Sequence, residues 1–189
     1  MSDEVKSRTT PVTPRGINHL VLNVRDMEAS HHFWCELLGF VQVGELQNLK
    51  GGDPLMNMRF YSGVIDGVNH HDLALVEREG LGPVEEWNMV SGRQAMNHVA
   101  ITYPDRESWR EQMKFLRDNG VKLHSRLDHG MTHSLYVSDP DGYGVEVLYE
   151  LPREVWEGDI DAALSWAQGF PIEELLEDNT DYVTDFRAS

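Results

Sequence analysis

Two stretches of the chain share one pattern of apolar and polar positions. Ile17-Asn18-His19-Leu20-Val21-Leu22-Asn23-Val24 is a strand-like run that gives way at Arg25-Asp26 to helical spacing. Met96-Asn97-His98-Val99-Ala100-Ile101-Thr102-Tyr103 repeats it, followed by Pro104-Asp105 and again by helical spacing. The spacing predicts helices over 26–38 and 105–119, with Asp26 and Asp105 as N-caps and Gly39 and Gly120 as stops. β-type segments follow each helix, at 40–46, 56–62 and 68–77 in the first copy and at 122–126, 132–138 and 145–150 in the second. Turn residues separate them at Lys50-Gly51-Gly52-Asp53-Pro54, Asp66-Gly67 and Ser138-Asp139-Pro140-Asp141-Gly142.

Each copy therefore reads β-α-β-β-β. One helix covers only one face of a four-stranded sheet, so a lone copy would leave its other face bare. Two copies side by side can curve into an open half-barrel whose concave faces form a pocket. The expected fold is α+β: two tandem βαβββ modules forming an open half-barrel around a metal site. The expected layout is a polar N-terminal arm (1–15), a first module (16–77), a linker (78–94), a second module (95–150) and an acidic C-terminal extension (151–189).

Composition narrows the class. The 189 residues contain no apolar run of the roughly 20 residues a membrane span needs. The N-terminus lacks the apolar stretch of a secretory signal. Cys35 is the single cysteine, which excludes an intrachain disulfide and a cysteine-rich zinc site and suits the cytoplasm; it reads as a helix packing residue. A net charge of −16 argues against nucleic acid and anionic membranes as partners. Half of it lies after Glu150, where ten acids face only Arg153 and Arg187.

Among nine histidines, His19 and His98 hold equivalent places on the first strand of each module. If a pseudo-twofold relates the modules, the two imidazoles converge at the interface. Glu146 is a carboxylate inside the otherwise apolar Gly144-Val145-Glu146-Val147-Leu148, where a buried charge needs a partner or a metal. Two imidazoles and one carboxylate with open positions form the ligand set of non-haem Fe(II) oxygenases. A lone histidine on a strand is more often a satisfied core residue; the repeated Asn-His is what lifts these two above it.

At this point the chain resembles the vicinal oxygen chelate superfamily of glyoxalase I, fosfomycin-resistance enzymes, bleomycin-binding proteins, methylmalonyl-CoA epimerase and type I extradiol dioxygenases. The resemblance runs from about Gly16 to Tyr149. Asn69-His70-His71-Asp72-Leu73-Ala74-Leu75 looks like the strand carrying the acid–base histidine of the extradiol branch, which by position is His71. Asp128-His129-Gly130 with Ser134-Leu135-Tyr136 is similar to that branch's active-site His and Tyr segment, which implies supporting roles for His129 and Tyr136. The fourth ligand of glyoxalase I is missing, since Glu77 lies too far along the strand from His71 to share its metal. The resemblance implies a compact, one-domain Fe(II) enzyme, with Mn(II) as an alternative metal. It would cleave a catechol-type ring with O2, inserting both oxygen atoms, and would form a homo-oligomer.

Two alternatives stay open: a glyoxalase-like or fosfomycin-type lyase or transferase using a Lewis-acid metal without O2, and a metal-free antibiotic-binding module. Met56, Met58 and Phe60 share a strand face that lines the pocket or simply fills the core. His31, His32, His70, His124 and His133 read as structural or solvent-facing. In the extension, Trp156, Ile160, Leu164 and Ala167 recur at helical spacing, so residues 155–176 are expected to dock as a helix and loop, with a second subunit favoured as the surface.

Overall fold

The computed structural model describes residues 17–46, 56–63, 70–90 and 96–173. The N-terminal arm, the turns at residues 50–54 and 66–67, Asn69 and the chain beyond residue 173 lie outside the described residues. The first half contains β1 (Leu20–Val24), α1 (Met27–His31), β2 (Val41–Glu45), β3 (Met58–Ser62) and β4 (Leu73–Glu77). α1 runs on without a break as a π-helical stretch, His32–Leu37. The second half contains β5 (His98–Thr102), α2 (Arg106–Asp118), β6 (Ser125–Asp128), β7 (Thr132–Ser138) and β8 (Gly144–Glu150). The sheets have the orders β1-β4-β3-β2 and β5-β8-β7-β6, with β1 parallel to β4, β5 parallel to β8 and the other neighbours antiparallel. The fold is α+β, as the repeat predicts.

The helix ends follow local chemistry. Asp26 accepts hydrogen bonds from the Glu28 and Ala29 amides, and Asp105 from the Ser108 amide. Each cap is worth about 1 kcal/mol. Gly39 and Gly120 take φ of 84° and 76°, the left-handed geometry that ends a helix at low cost in glycine.

Two strand starts differ most from the sequence pattern. β4 starts at Leu73, because the Asp72 carboxylate turns back to accept from Ser62 Oγ and the Gly63 amide, both at 2.9 Å. His70 and His71 therefore sit in the bend ahead of the strand. In the second half, residues 121–124 carry the chain from α2 to the sheet, tucking Val121 and Leu123 against the core, and β6 starts only at Ser125.

Alternation along the strands sorts every side chain to one of two faces. Leu22 and Val24 of β1, Leu135 and Val137 of β7, and Val145, Val147 and Tyr149 of β8 face the helices. There they meet Phe33, Trp34 and Leu37 from the first half and Trp109, Met113 and Leu116 from α2 in one continuous core. The Trp109 indole donates to the Val147 carbonyl at 2.8 Å, and Gln112 reaches the Leu37 carbonyl at 2.6 Å. The core thus spans both halves and leaves the opposite sheet faces for His19, His98, Ser134, Tyr136 and Glu146. Between the halves, Arg25 Nη1 pairs with Asp141 Oδ1 at 2.6 Å, and Tyr143 donates to the Asn23 carbonyl at 3.2 Å.

The described part of the extension folds on its own chain. Two short helices, α3 (Arg153–Trp156) and α4 (Ile160–Leu164), lead to β9 (Gln168–Phe170), which pairs antiparallel with β6 and becomes the fifth strand of that sheet. Arg126 covers the Phe170 ring, 5.2 Å from its centroid, and donates to the Pro171 carbonyl. Ala163 is fully buried, and Ile172 packs on the core. The extension does dock, but not by the face the apolar spacing predicts. Ile160, Leu164 and Ala167 are exposed, Ala163 is the buried residue of α4, and contact is made by Ile172 and by a strand too short to announce itself. No described helix is long and apolar enough to cross a membrane.

Candidate metal centre

Glu146 is the centre of the polar group. β8 places it opposite Ala100 of β5 and Tyr136 of β7, on the face away from the helices. It is 7% exposed. His98, the first residue of β5, brings Nε2 to 3.1 Å from Glu146 Oε2. His129, just past β6, lies 3.9 Å from Oε1 and 2.9 Å from the Tyr136 hydroxyl. Burial is the largest influence on the Glu146 carboxyl and raises its pKa. Hydrogen bonds from His98, Ser134 and Tyr136, with the His98 charge, outweigh burial and leave it below the ordinary value. Tyr136 moves the other way: burial and then the Glu146 charge push its hydroxyl well above the usual phenol range. It is a fixed hydrogen-bond donor at neutral pH.

The repeated Asn-His has a physical purpose in both halves. Asn18 Oδ1 lies 2.8 Å from His19 Nδ1, and Asn97 Oδ1 lies 2.8 Å from His98 Nδ1. An amide oxygen at Nδ1 holds the proton there and leaves Nε2 as the free donor atom. With Nδ1–H so used, His98 Nε2 can face the Glu146 carboxylate only with a proton or a cation between them. This pair offers two of the donors that a divalent ion would need.

The third expected ligand lies across a seam. A cleft of about 240 Å³ is lined by Asn18, His19 and Leu20 at the start of β1 and by Val99, Ala100 and Ile101 of β5. His19 meets His71 at a ring separation of 4.4 Å. Among the described residues no three His, Cys, Asp or Glu side chains are grouped closely enough to hold a metal ion. The structure thus brings His98, Glu146, His129 and Tyr136 together, and sets His19 beside His71 on the other wall.

His71 also packs on Phe60 at 5.0 Å, and its Nδ1 lies 2.5 Å from that of His70. Burial first, then the neighbouring His19 and His70, lower its pKa below 6.5. Phe60 and Met58 share the face opposite Tyr61, which is in the core. Glu77 accepts from the Met27 amide and from Asn57 Nδ2, both at 2.9 Å, so its carboxylate serves the start of α1. The other histidines have local partners: Glu36 for His32, Tyr61 for His31, Ser138 for His124, and Tyr149 and Asp128 for His133.

Two residues of the group were not singled out from sequence. Ser134 shares the face of β7 with Tyr136, and period-two spacing alone could have found it. Trp87 comes from the segment between the halves and stacks on Tyr136, with centroids 5.5 Å apart and planes at 8°.

Comparison with known proteins agrees with this architecture. Residues 16–147 match the family described as Glyoxalase/Bleomycin resistance protein/Dioxygenase superfamily. The chain is 30% identical over 166 residues to catechol-2,3-dioxygenase of Bacillus subtilis, covering 87% of this chain and 52% of that protein. It is 31% identical over 136 residues to biphenyl-2,3-diol 1,2-dioxygenase 3 of Rhodococcus globerulus, covering 72% and 63%. It therefore spans only about half to two thirds of the length of these two relatives. A lactoylglutathione lyase of Pseudomonas putida is 27% identical over 169 residues, covering 78% of this chain and 93% of that one. Among solved structures, a glyoxylase/bleomycin resistance protein/dioxygenase domain from Frankia superposes with a TM-score of 0.56 at 16% identity, covering 74% of this chain and all of that one. The chain belongs to the Glyoxalase/Bleomycin resistance protein/Dioxygenase superfamily.

Proposed function

We propose that this protein is an extradiol dioxygenase that cleaves a catechol-type ring, with His19, His98 and Glu146 holding Fe(II), or Mn(II) in its place. Members of the superfamily are mostly enzymes that depend on a divalent metal. The observation that carries the reading is the buried Glu146 carboxylate facing His98 Nε2 at 3.1 Å, with Tyr136 and His129 hydrogen-bonded beside it. The names of the first two relatives agree in reaction type.

The metal would supply a centre that binds both catechol oxygens and relays electrons to O2. The chain's own groups do the rest. His71, with its pKa lowered, is unprotonated at neutral pH and can take a proton from a catechol hydroxyl. Tyr136 keeps its proton and, by turning it from Glu146, can donate a hydrogen bond to negative charge on substrate oxygen. His129, hydrogen-bonded to the Tyr136 hydroxyl, can orient it and serve proton traffic at the edge of the site. Phe60 gives an aromatic ring an apolar wall next to His71. A homo-oligomer is part of this reading.

The lyase reading has one point in its favour, the nearly full-length match to lactoylglutathione lyase. The Glu77 carboxylate weighs against a fourth ligand from β4, because it is engaged at the start of α1. The decisive experiment is anaerobic reconstitution with Fe(II), followed by addition of catechols and air. O2 uptake matched to a coloured ring-cleaved product supports the dioxygenase. Turnover of a glutathione hemithioacetal without O2 replaces it with the lyase.

A further inference from the structure

Residues 81–90 carry no helix or strand, yet Trp87 within them is only 6% exposed. Its indole Nε1–H donates to the Asn97 carbonyl at 2.6 Å. Two residues on, the Met89 carbonyl accepts from Asn97 Nδ2 at 2.8 Å. Asn97 is thus held from the same segment at both its backbone and its side chain. An amide has one oxygen and one NH2 group. With the NH2 group committed to Met89, the oxygen must face His98 Nδ1, where it lies at 2.8 Å.

The bed under this segment is equally specific. Gly144 of β8 lies directly across from His98 in the parallel ladder. A Cβ at Gly144 would overlap the Trp87 indole nitrogen and come within 2.6 Å of the Asn97 carbonyl oxygen. Gly142, at φ 83°, gives the Glu85 backbone the same close approach. Lys122 pairs with Glu86, and the Arg25 guanidinium donates to the Gly82 carbonyl, fastening the segment on either side of Glu85. On its other side the indole lies flat on Tyr136.

We propose that Trp87 and the Met89 backbone form a clamp that fixes the Asn97 amide, and through it the ring orientation of His98, while Trp87 sets the plane of Tyr136. Trp87 is a positioning residue: it bonds to Asn97, stacks on Tyr136 and acts through them. The proposal rests on the reading of His98 as a metal ligand for its importance. Its geometry is independent of which metal or reaction is served.

The test reads His98 directly. Nitrogen shifts of the histidine rings are recorded at one fixed pH in the metal-free full chain, for wild type, Trp87→Phe and Asn97→Ala. These shifts follow protonation and hydrogen bonding far more than neighbouring ring currents. Asn97→Ala defines the signals of an unclamped ring. Trp87→Phe keeps an aromatic face for Tyr136 but removes the indole donor. The expected result is that Trp87→Phe moves the His98 signals toward those of Asn97→Ala and leaves His19, with its own Asn18, unchanged. Zn(II) affinity should fall by roughly 10–100-fold, the usual effect of losing a group that orients a ligand. His98 signals identical to wild type in Trp87→Phe, or equal movement of His98 and His19, overturn the clamp. Gly144→Ala provides a second route by displacing the ring without changing it. If the wild type takes up no metal, the metal reading fails while the ring signals still decide the clamp.

Discussion

The Tyr136 hydroxyl and His129 Nε2 lie 2.9 Å apart, and the same hydroxyl bonds to the buried Glu146 carboxylate. A phenol has one proton, so donation to Glu146 makes His129 Nε2–H the donor to Tyr136. Tyr136→Phe breaks both links and leaves the stacked ring in place. The expected loss in kcat is about 10²-fold, with bound iron near wild-type stoichiometry. Loss of iron in step with activity would instead make Tyr136 a support for the ligand set alone.

His98→Ala removes the partner of a carboxylate that is almost fully buried. Both His98→Ala and Glu146→Gln should abolish most metal uptake, measured by elemental analysis after anaerobic loading. Wild-type metal content in both variants would remove this pair from the centre.

His71 gives a pH signature. Its pKa is lowered from 6.5, so the unprotonated ring persists to more acid pH than a free imidazole. As the base for a catechol proton it must be neutral. Activity therefore falls as pH drops through a value below 6.5. His71→Phe should retain metal, lose about 10²-fold in kcat and lose that acid limb from the kcat/KM profile. An unchanged acid limb in the variant assigns it to another group.

Asp139 links stability to pH. Burial pushes its carboxyl up to about 6, Asp141 adds to this, and amides of Tyr143 and Asp141 with the Trp34 indole pull it down. Its folded pKa exceeds the unfolded value near 3.8. The folded state therefore holds the proton more tightly, and the associated stability is present at acid pH and lost as pH rises through about 6. The shift corresponds to up to about 3 kcal/mol across that window. Urea titrations of Asp139→Asn, which keeps an acceptor for the two amides, should lose this downward slope between about pH 4 and pH 6.

Arg25 and Asp141 tie the halves together. The Asp141 side chain is 4% exposed and also accepts from the Arg25 amide at 3.1 Å and Ser30 Oγ at 3.2 Å. Arg25→Ala strands a buried carboxylate with weaker donors and should cost about 1–3 kcal/mol. The midpoint of a two-state thermal melt reports it, and an unchanged Tm means that water replaces the guanidinium at no cost.

Much of this architecture is written in local chemistry. Asp26 and Asp105 announce the helix starts, Gly39 and Gly120 the ends, and the Asn-His repeat marks the two equivalent strands. His98 and Glu146 were legible because an imidazole at a repeated place and a carboxylate in an apolar strand both need explaining. The bend that takes His71 out of the strand was hidden, since it depends on Asp72 meeting Ser62 and Gly63, a tertiary contact. Trp87 was hidden for a related reason. Its neighbours carry no periodicity, and its place is dictated by glycines more than fifty residues further on. β9 is too short for any periodic signal and exists only because β6 offers it an edge.

That edge has a consequence for how the polypeptide can be divided. β6 is a four-residue strand, and three of its residues, Arg126 to Asp128, pair on their outer side with residues 168–170. A polypeptide cut after Glu150 would present that side bare, next to an Arg126 stripped of its aromatic cover, as a template for another molecule's strand. The acidic extension is therefore a seam-sealer for the second sheet. Expression fragments that stop where the internal repeat stops should self-associate, whereas those that run through Ile172 keep the sheet closed on that side.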